Sequence, residues 1–354
     1  MEREQIYTDI CTEVEKLLPP EYRNAELSLQ NVVKANGYMY KGLTILPESN
    51  ESKQISPCIN LDKLLEKREG IMSEQPAGSY TLDIYNTARE VLDIWQENMI
   101  NNPFSKEQIG QFMEYGYAKE HLTIRPFDPD MHRDVLPQDQ SMMLTAGDFS
   151  GIFYVADTMP GSSGSEQYSI KVTPQLMQMW GVDMETMKQD TLENMAKDAR
   201  LFSMMDMIPF TISEVQGFEQ TEPKDLLAGA EGNSLTEPMY VLTNQGKCGG
   251  AGVMFSHAVL EQVSELAGGD YYVLPSSVHE LIIVPAAQSP AGAEELHELV
   301  QQVNQTAVAE DEILSDKVHR YDSGNHTLVN ALDRDLSRGA VDMEMPGMQQ
   351  HTAR

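Results

Sequence analysis

The chain has 354 residues, of which 41% are hydrophobic, so it can form about two or three domains with a sizeable core. Its 25 lysines and arginines stand against 55 aspartates and glutamates, and the resulting charge of −30 opposes binding to nucleic acid or to an anionic membrane surface. The three cysteines form no CxxC pair and no apolar run is long enough to span a bilayer, so we expect a cytoplasmic protein without a zinc site or a membrane span.

Residues 1–70 predict a small α+β head. The predicted elements are a helix over 6–18 that ends at Pro19-Pro20, two strands over 25–33 and 38–45 around an Asn36-Gly37 turn, and a short strand leading into a helix over 56–65.

Residues 71–218 predict a helical and α+β middle region. Its predicted elements are an amphipathic helix over 81–99, a weaker helix over 105–117, a short strand at 122–124, a strand pair at 152–157 and 168–173 around a polar loop, and helices over 174–180 and 183–200. Thr173 and Pro174 are typical of a helix start, and Gly181 of a helix end. Many of the 22 methionines lie here, and we favour core filling over a deformable binding surface as their role.

Residues 219–237, rich in Glu, Gly, Pro and Thr, predict a linker, and residues 238–329 predict a C-terminal α+β unit. The predicted elements of that unit are a hairpin of strands 240–243 and 251–255 around a glycine turn, a helix that begins after Ser256 and ends at Gly268-Gly269, a second hairpin of strands 271–274 and 281–284, and a helix over 294–304. Residues 330–354 predict a disordered tail. The predicted fold class is therefore α+β, with mixed or antiparallel sheets packed with amphipathic helices.

The second hairpin contains the densest group of reactive side chains in the chain, Ser276, Ser277, His279 and Glu280. In an extended segment Ser277 and His279 share one face, where their side chains could form a hydrogen bond. No GxSxG nucleophile elbow surrounds either serine, which favours a role in the turn over ligand binding, and ligand binding over catalysis. We take Asn244, Ser277, His279 and Glu280 as candidate ligand-binding residues and assign no catalytic residue.

Two other patterns suggest chemistry less strongly. The turn QGKCGGAG resembles a phosphate loop, but a strand is predicted to follow where a phosphate loop needs a helix, so a hairpin turn is favoured. Cys248 in this turn is a candidate reactive thiol without an identified base. His121, Asp128, Asp130 and His132 match no known set of metal ligands, so no metal site is assigned.

Several segments of the chain occur together in a recognisable order: the turn at Asn36-Gly37, residues 57–61, the helix around Trp95, and residues 172–195, 238–244, 274–285 and 303–322. They resemble a family of unknown function from cytoplasmic proteins of Firmicutes, often met in gut Clostridia. The resemblance covers most of residues 1–322. It implies neither an activity nor any site residue. The helix end at Trp180-Gly181 is also similar to a second, bacillary family, which implies a distantly shared α+β fold.

We therefore expect a non-enzymatic interaction or regulatory protein, with an unknown protein as partner, no nucleic acid and no cofactor. The first alternative is a hydrolase-like enzyme that uses the hairpin of Ser277 and His279. The second alternative is an acidic inhibitor encoded by a mobile element, which would require the acidic side chains to gather on one face.

Overall fold

The computed structural model describes residues 3–34, 36–48, 56–73, 83–100, 110–131, 142–161, 164–207, 223–229 and 234–333. These residues form two compact units. The first unit comprises the described residues within Met1–His121 and Val155–Asp183, and the second comprises those within Leu122–Met131, Asp139–Tyr154 and Met184–Arg354. Residues 334–354 of the predicted tail at 330–354, and residues 105–109 of the predicted helix at 105–117, lie outside the described residues.

The first unit begins with helices packed on a small sheet. Its elements are α1 (Arg3–Leu17), β1 (Glu26–Val33), β2 (Met39–Leu46), β3 (Cys58–Asn60), α2 (Leu61–Ser73) and α3 (Ile84–Ile100). The strands form an antiparallel sheet in the order β1-β2-β3. Gly37, with φ of 87°, allows the tight turn that pairs Val33 with Met39. The core beneath the sheet includes Ile10 and Trp95, neither of which is exposed to solvent.

The remainder of the first unit is organised around a helix whose two ends were predicted. Its elements are α4 (Tyr115–Ala118), the later residues of β6 (Phe149–Gly161), β7 (Gly164–Lys171) and α5 (Pro174–Trp180). The Thr173 hydroxyl accepts the N–H of Leu176, and Gly181 ends the helix with φ of 70°. The indole of Trp180 donates to the carbonyl of Phe112 at 3.1 Å, which anchors the helix.

The second unit contains a six-stranded antiparallel sheet in the order β13-β12-β10-β11-β9-β8. Its strands are β8 (Ala199–Ser203), β9 (Tyr240–Asn244), β10 (Tyr271–Leu274), β11 (Leu281–Pro285), β12 (His319–Asp322) and β13 (Thr327–Asn330). Its helices are α6 (Met184–Asp198), α7 (His257–Ala267) and α8 (Ala293–Thr306). The strands β4 (Leu122–Phe127) and β5 (Met143–Ala146) flank β6 in the order β4-β6-β5. The predicted α+β class with antiparallel sheets is confirmed.

One predicted strand is wrong. Residues 251–255 lie in a 3₁₀ helix, Gly250–Phe255, so the glycine turn before them is not a hairpin turn. All six residues are buried, and a short continuous apolar run has no period that distinguishes a strand from a helix. A Cβ added to Gly252 would lie 2.1 Å from the carbonyl oxygen of Ile124, so this segment packs with its backbone directly on β4. Strand β9 pairs instead with β8 and β11.

Part of the predicted linker packs into the second unit. Leu227 and Leu235 are buried, and the Asp225 carboxylate accepts the backbone N–H groups of Leu201 and Leu227. The proposed division into head, middle region, linker and C-terminal unit stays a prediction.

A buried acidic group connects β4 to the segment before β12. Asp128 has no exposed surface, and it accepts hydrogen bonds from the Ser315 hydroxyl at 2.7 Å and from the Lys317 ammonium at 3.0 Å. Lys317 also donates to the half-exposed Asp130 at 2.8 Å. These contacts give Asp128 and Asp130, two of the four residues considered above as metal ligands, a structural role. No group of side chains suited to holding a metal ion, and no helix able to cross a bilayer, occurs within the described ranges.

Candidate functional site

Cys248 lies in a turn of the second unit that is held by the side chain at the end of β9. The Asn244 amide donates to the carbonyl of Cys248 at 2.9 Å and accepts its N–H at 3.1 Å. Lys247 and Gly249, on either side, adopt positive φ angles of 50° and 65°. The predicted candidate Asn244 therefore fixes the backbone on which a partly exposed thiol is presented.

The imidazole of His279 lies next to this turn. Its Nδ1 accepts the backbone N–H of Gly249 at 3.1 Å, so the neutral ring carries its proton on Nε2. Nε2 lies 3.5 Å from a carboxylate oxygen of Glu312. The thiol of Cys248 is within hydrogen-bonding distance of the ring, and this contact is the main cause that raises the pKa of His279, with Glu312 and Glu280 adding to it. Burial of the ring opposes that rise.

The loop between β10 and β11 holds His279 in place through its backbone. The Ser277 hydroxyl accepts the N–H of His279 at 3.0 Å, and the carbonyl of His279 accepts the Thr243 hydroxyl at 2.8 Å. The N–H of Val278 donates to the carbonyl of Glu312 at 2.9 Å. Three segments that are distant in the sequence are thus joined by main-chain contacts around one imidazole.

Gly250 is required for this close approach. A Cβ at this position would lie 2.3 Å from the Thr243 hydroxyl, 2.6 Å from the backbone nitrogen of Asn244 and 2.6 Å from the carbonyl oxygen of His279. Two of these three atoms belong to the backbone and cannot move aside. Glycine therefore allows the turn of Cys248 to contact the loop of His279.

Ser277 and His279 do not share one face of an extended segment, so this prediction is wrong. Residues 277–279 form a bend with a single bridge from Ser277 to Ile313, and the Ser277 hydroxyl faces the backbone of its own loop. Ser276 is buried and its carbonyl accepts the N–H of Leu314. Burial raises the pKa of the Glu280 carboxyl, which interacts with both Ser277 and His279. The ligand-binding role of Asn244, Ser277, His279 and Glu280 stays a prediction.

Two further residues, Glu312 and Arg125, interact with members of this group and are not indicated by the sequence. Glu312 is far from His279 along the chain, so the sequence does not indicate that the two side chains are close. Burial lowers the pKa of the Arg125 guanidinium on β4, and interactions with Tyr154 and Cys248 oppose that shift. Its guanidinium carbon lies 5.1 Å from the centre of the Tyr154 ring. No local motif marks either residue.

The arrangement can support nucleophilic chemistry by a thiol. A reactive cysteine needs a base within hydrogen-bonding distance, and the base works best when a further group orients it. His279 forms a side-chain hydrogen bond with Cys248 and places its second nitrogen near Glu312. This is the combination of residue types found at thiol-dependent active centres.

Comparison with known families gives one match. The profile of DUF5688, described as a family of unknown function, matches residues 3–323, so the chain belongs to that family. Neither a curated protein nor a solved structure matches the chain.

Proposed function

We propose that this member of the DUF5688 family is a cysteine-dependent enzyme of the hydrolase type. In this proposal Cys248 is the nucleophile, His279 is its general base and Glu312 orients the imidazole. The observation that carries the proposal is the position of His279 between the Cys248 thiol and the Glu312 carboxylate. It modifies the expected hydrolase-like alternative, because Cys248 takes the place of Ser277 as nucleophile.

The hydrogen bonds suggest how the thiol would be activated. With the Nε2 proton directed at Glu312, the basic nitrogen of the neutral ring is Nδ1. When Nδ1 takes the thiol proton, the sulfur attacks a substrate carbonyl carbon and the carbonyl oxygen becomes an oxyanion. The Gly249 N–H then no longer donates to Nδ1 and is free to donate to that oxyanion. The imidazolium returns its proton to the leaving group, and water hydrolyses the resulting thioester.

Alkylation of the three cysteines by iodoacetamide tests the proposal. We expect Cys248 to react about tenfold faster than Cys11 and Cys58 at neutral pH, because it alone among them has an imidazole partner in the described structure. Peptide mapping by mass spectrometry gives all three rates in one sample, so the other two cysteines serve as internal references.

Two variants complete this test. His279→Ala should lower the rate at Cys248 to that of the reference cysteines, and Glu312→Gln should lower it by a smaller factor. A short-chain nitrophenyl ester should leave an acyl group on Cys248 of the wild type and none on Cys248→Ser. A Cys248 rate equal to the reference rates, unchanged by His279→Ala, would overturn the proposal.

A non-enzymatic interaction role is the second candidate, and one exposed apolar pair favours it. Val33 and Met39 are cross-strand partners in the β1–β2 hairpin, with 44% and 56% of their surfaces exposed. Strand β1 is an edge strand, and such edges accept further strands or apolar side chains.

The expected result for the second candidate is that a protein captured by the wild-type chain from its native host is not captured by Val33→Lys/Met39→Lys. Lys16→Glu/Lys63→Glu, which alters exposed charges of the same unit, is the matched control and should retain the captured protein. Equal capture by the hairpin variant would exclude this hairpin as the contact surface.

A further inference from the structure

Strand β1 lies at an edge of the three-stranded sheet, and β2 is its only strand neighbour within the described residues. All eight of its residues, Glu26–Val33, pair with β2 in one continuous register without a bulge. Edge strands of proteins are often protected from further pairing by a proline, a lysine, a bulge or a short length. The residues of β1 include no proline and no lysine, and Glu26 at its start is its one charged residue, so these four protections are missing from this edge.

The backbone groups of alternate residues in β1 point toward this open edge. The N–H of Lys34 donates to the carbonyl of Tyr38 at 2.8 Å, so the even-numbered residues of the strand direct their N–H and C=O groups at β2. The odd-numbered residues therefore direct theirs away from β2, and these residues are Leu27, Leu29, Asn31 and Val33. Antiparallel pairing with a further strand would give these groups hydrogen-bond partners in a larger sheet.

The odd-numbered residues also carry apolar side chains along the edge. Leu27 and Leu29 pack against the core of the first unit but are only partly buried, and Val33 is 44% exposed. Side chains alternate between the two faces of a strand, so these three side chains lie on the core side of the sheet. A strand added to β1 with apolar residues on the same face would extend the core and remove part of their exposed surface from water.

The sequence of β1 is complementary to a second copy of itself. When two copies pair antiparallel about Gln30, Glu26 lies opposite Lys34 of the second copy, and both side chains are exposed. In the same register Leu27 lies opposite Val33 of the second copy. Two-fold symmetry makes each of these pairs occur twice. A shift of two residues in either direction loses both kinds of pair, so charge and apolar contact select the same register.

We propose that two copies of this chain associate through β1, with the two strands antiparallel about Gln30 in one continuous sheet. Glu26 and Lys34 of the second copy form a non-hydrogen-bonded pair, in which opposed side chains come closest. The formal charge of −30 on each copy opposes association. At physiological salt, exposed charges more than about 8 Å apart are largely screened, whereas the opposed pairs are in contact. The proposal goes beyond the enzyme proposed above and names a second copy as the partner of this hairpin.

Sedimentation equilibrium of the purified full chain tests the proposal. At about 0.15 M salt, we expect the mass to rise from 39.6 kDa toward twice that value as the protein concentration increases. Glu26→Lys places two lysines opposite each other at both ends of the paired strands, and Lys34→Glu likewise places two glutamates opposite each other. Each variant alone should dimerise about tenfold more weakly than wild type, because like charges directly opposed in a sheet are destabilising.

An equal mixture of the two single variants gives the sharpest comparison. In a mixed dimer the two substituted residues face each other with opposite charges, and so do the two unsubstituted ones, so the mixture should dimerise as strongly as wild type. Glu97→Lys is the matched control, because it makes the same charge reversal at an exposed position of α3 in the same unit and should leave dimerisation unchanged.

Asn31→Pro tests the backbone pairing separately from the charges. It removes an N–H that points to the open edge and leaves the hydrogen bonds between β1 and β2 in place. We expect this variant to remain a monomer at concentrations where wild type is a dimer.

A mass of 39.6 kDa at every concentration would overturn the proposal. A dimer that neither charge reversal weakens, or a mixture that associates no better than its two components, would overturn it as well. If Asn31→Pro does not fold, the mixture of the charge variants decides. The proposed enzyme activity fails separately, since it is tested by the alkylation rate of Cys248 and does not depend on dimerisation.

Discussion

Replacing Asp128 with alanine is expected to lower the free energy of unfolding by about 3 kcal/mol. Asp128 is fully buried and accepts hydrogen bonds from the Ser315 hydroxyl, the Lys317 ammonium and the N–H of Asp130. Its removal leaves these donors without their buried acceptor and leaves a cavity. The midpoint of urea unfolding, compared with wild type at neutral pH, measures the loss.

Asp130→Ala is the matched control for this change. Asp130 binds the same lysine at 2.8 Å, but its side chain is 54% exposed, so water replaces the lost contact and the expected loss is below about 1 kcal/mol. Equal losses for the two variants would show that burial of Asp128 does not contribute to stability as proposed.

Replacing Gly250 with alanine is expected to lower the free energy of unfolding by about 3 kcal/mol, because the new methyl group would overlap backbone atoms of Asn244 and His279. The overlap would also force the turn of Cys248 away from the loop of His279. Any folded fraction should therefore lose the fast alkylation of Cys248. Urea unfolding and iodoacetamide labelling of the same preparation measure the two effects.

Gly246→Ala provides the control in the same turn. A Cβ at Gly246 would meet nothing closer than the Asn244 side chain at 3.9 Å, and the backbone there does not adopt a positive φ. We expect wild-type stability and wild-type labelling of Cys248. Similar unfolding midpoints for the two alanine variants would contradict the steric role assigned to Gly250.

The elements that could be predicted from the sequence are those decided within a few residues. The spacing of apolar residues predicts α3 and α8, because one face of each helix packs against a core. The Asn36-Gly37 turn predicts the hairpin of β1 and β2, and Thr173 with Gly181 predicts both ends of α5. Each signal depends on local backbone preference, hydrogen bonding or periodicity.

The buried 3₁₀ helix at Gly250–Phe255 could not be predicted in this way. Its residues are apolar on every side, so the sequence shows no alternation and no helical stripe. Its conformation follows from the space between β4 and the loop of His279, where only glycine backbone fits at Gly250 and Gly252. That space exists only after distant strands have paired.

The features of the candidate site also differ in whether local sequence or tertiary structure determines them. The sequence by itself determined that Cys248 lies in a glycine-rich turn and that His279 lies in the loop between β10 and β11. Only the tertiary structure decided that these two residues meet, because β11 pairs with β9 and brings the ends of both strands together. Glu312 joins them because its carbonyl accepts the N–H of Val278 in the loop of His279. Such contacts depend on strand order and on the fit of packed backbones, which short-range patterns do not encode.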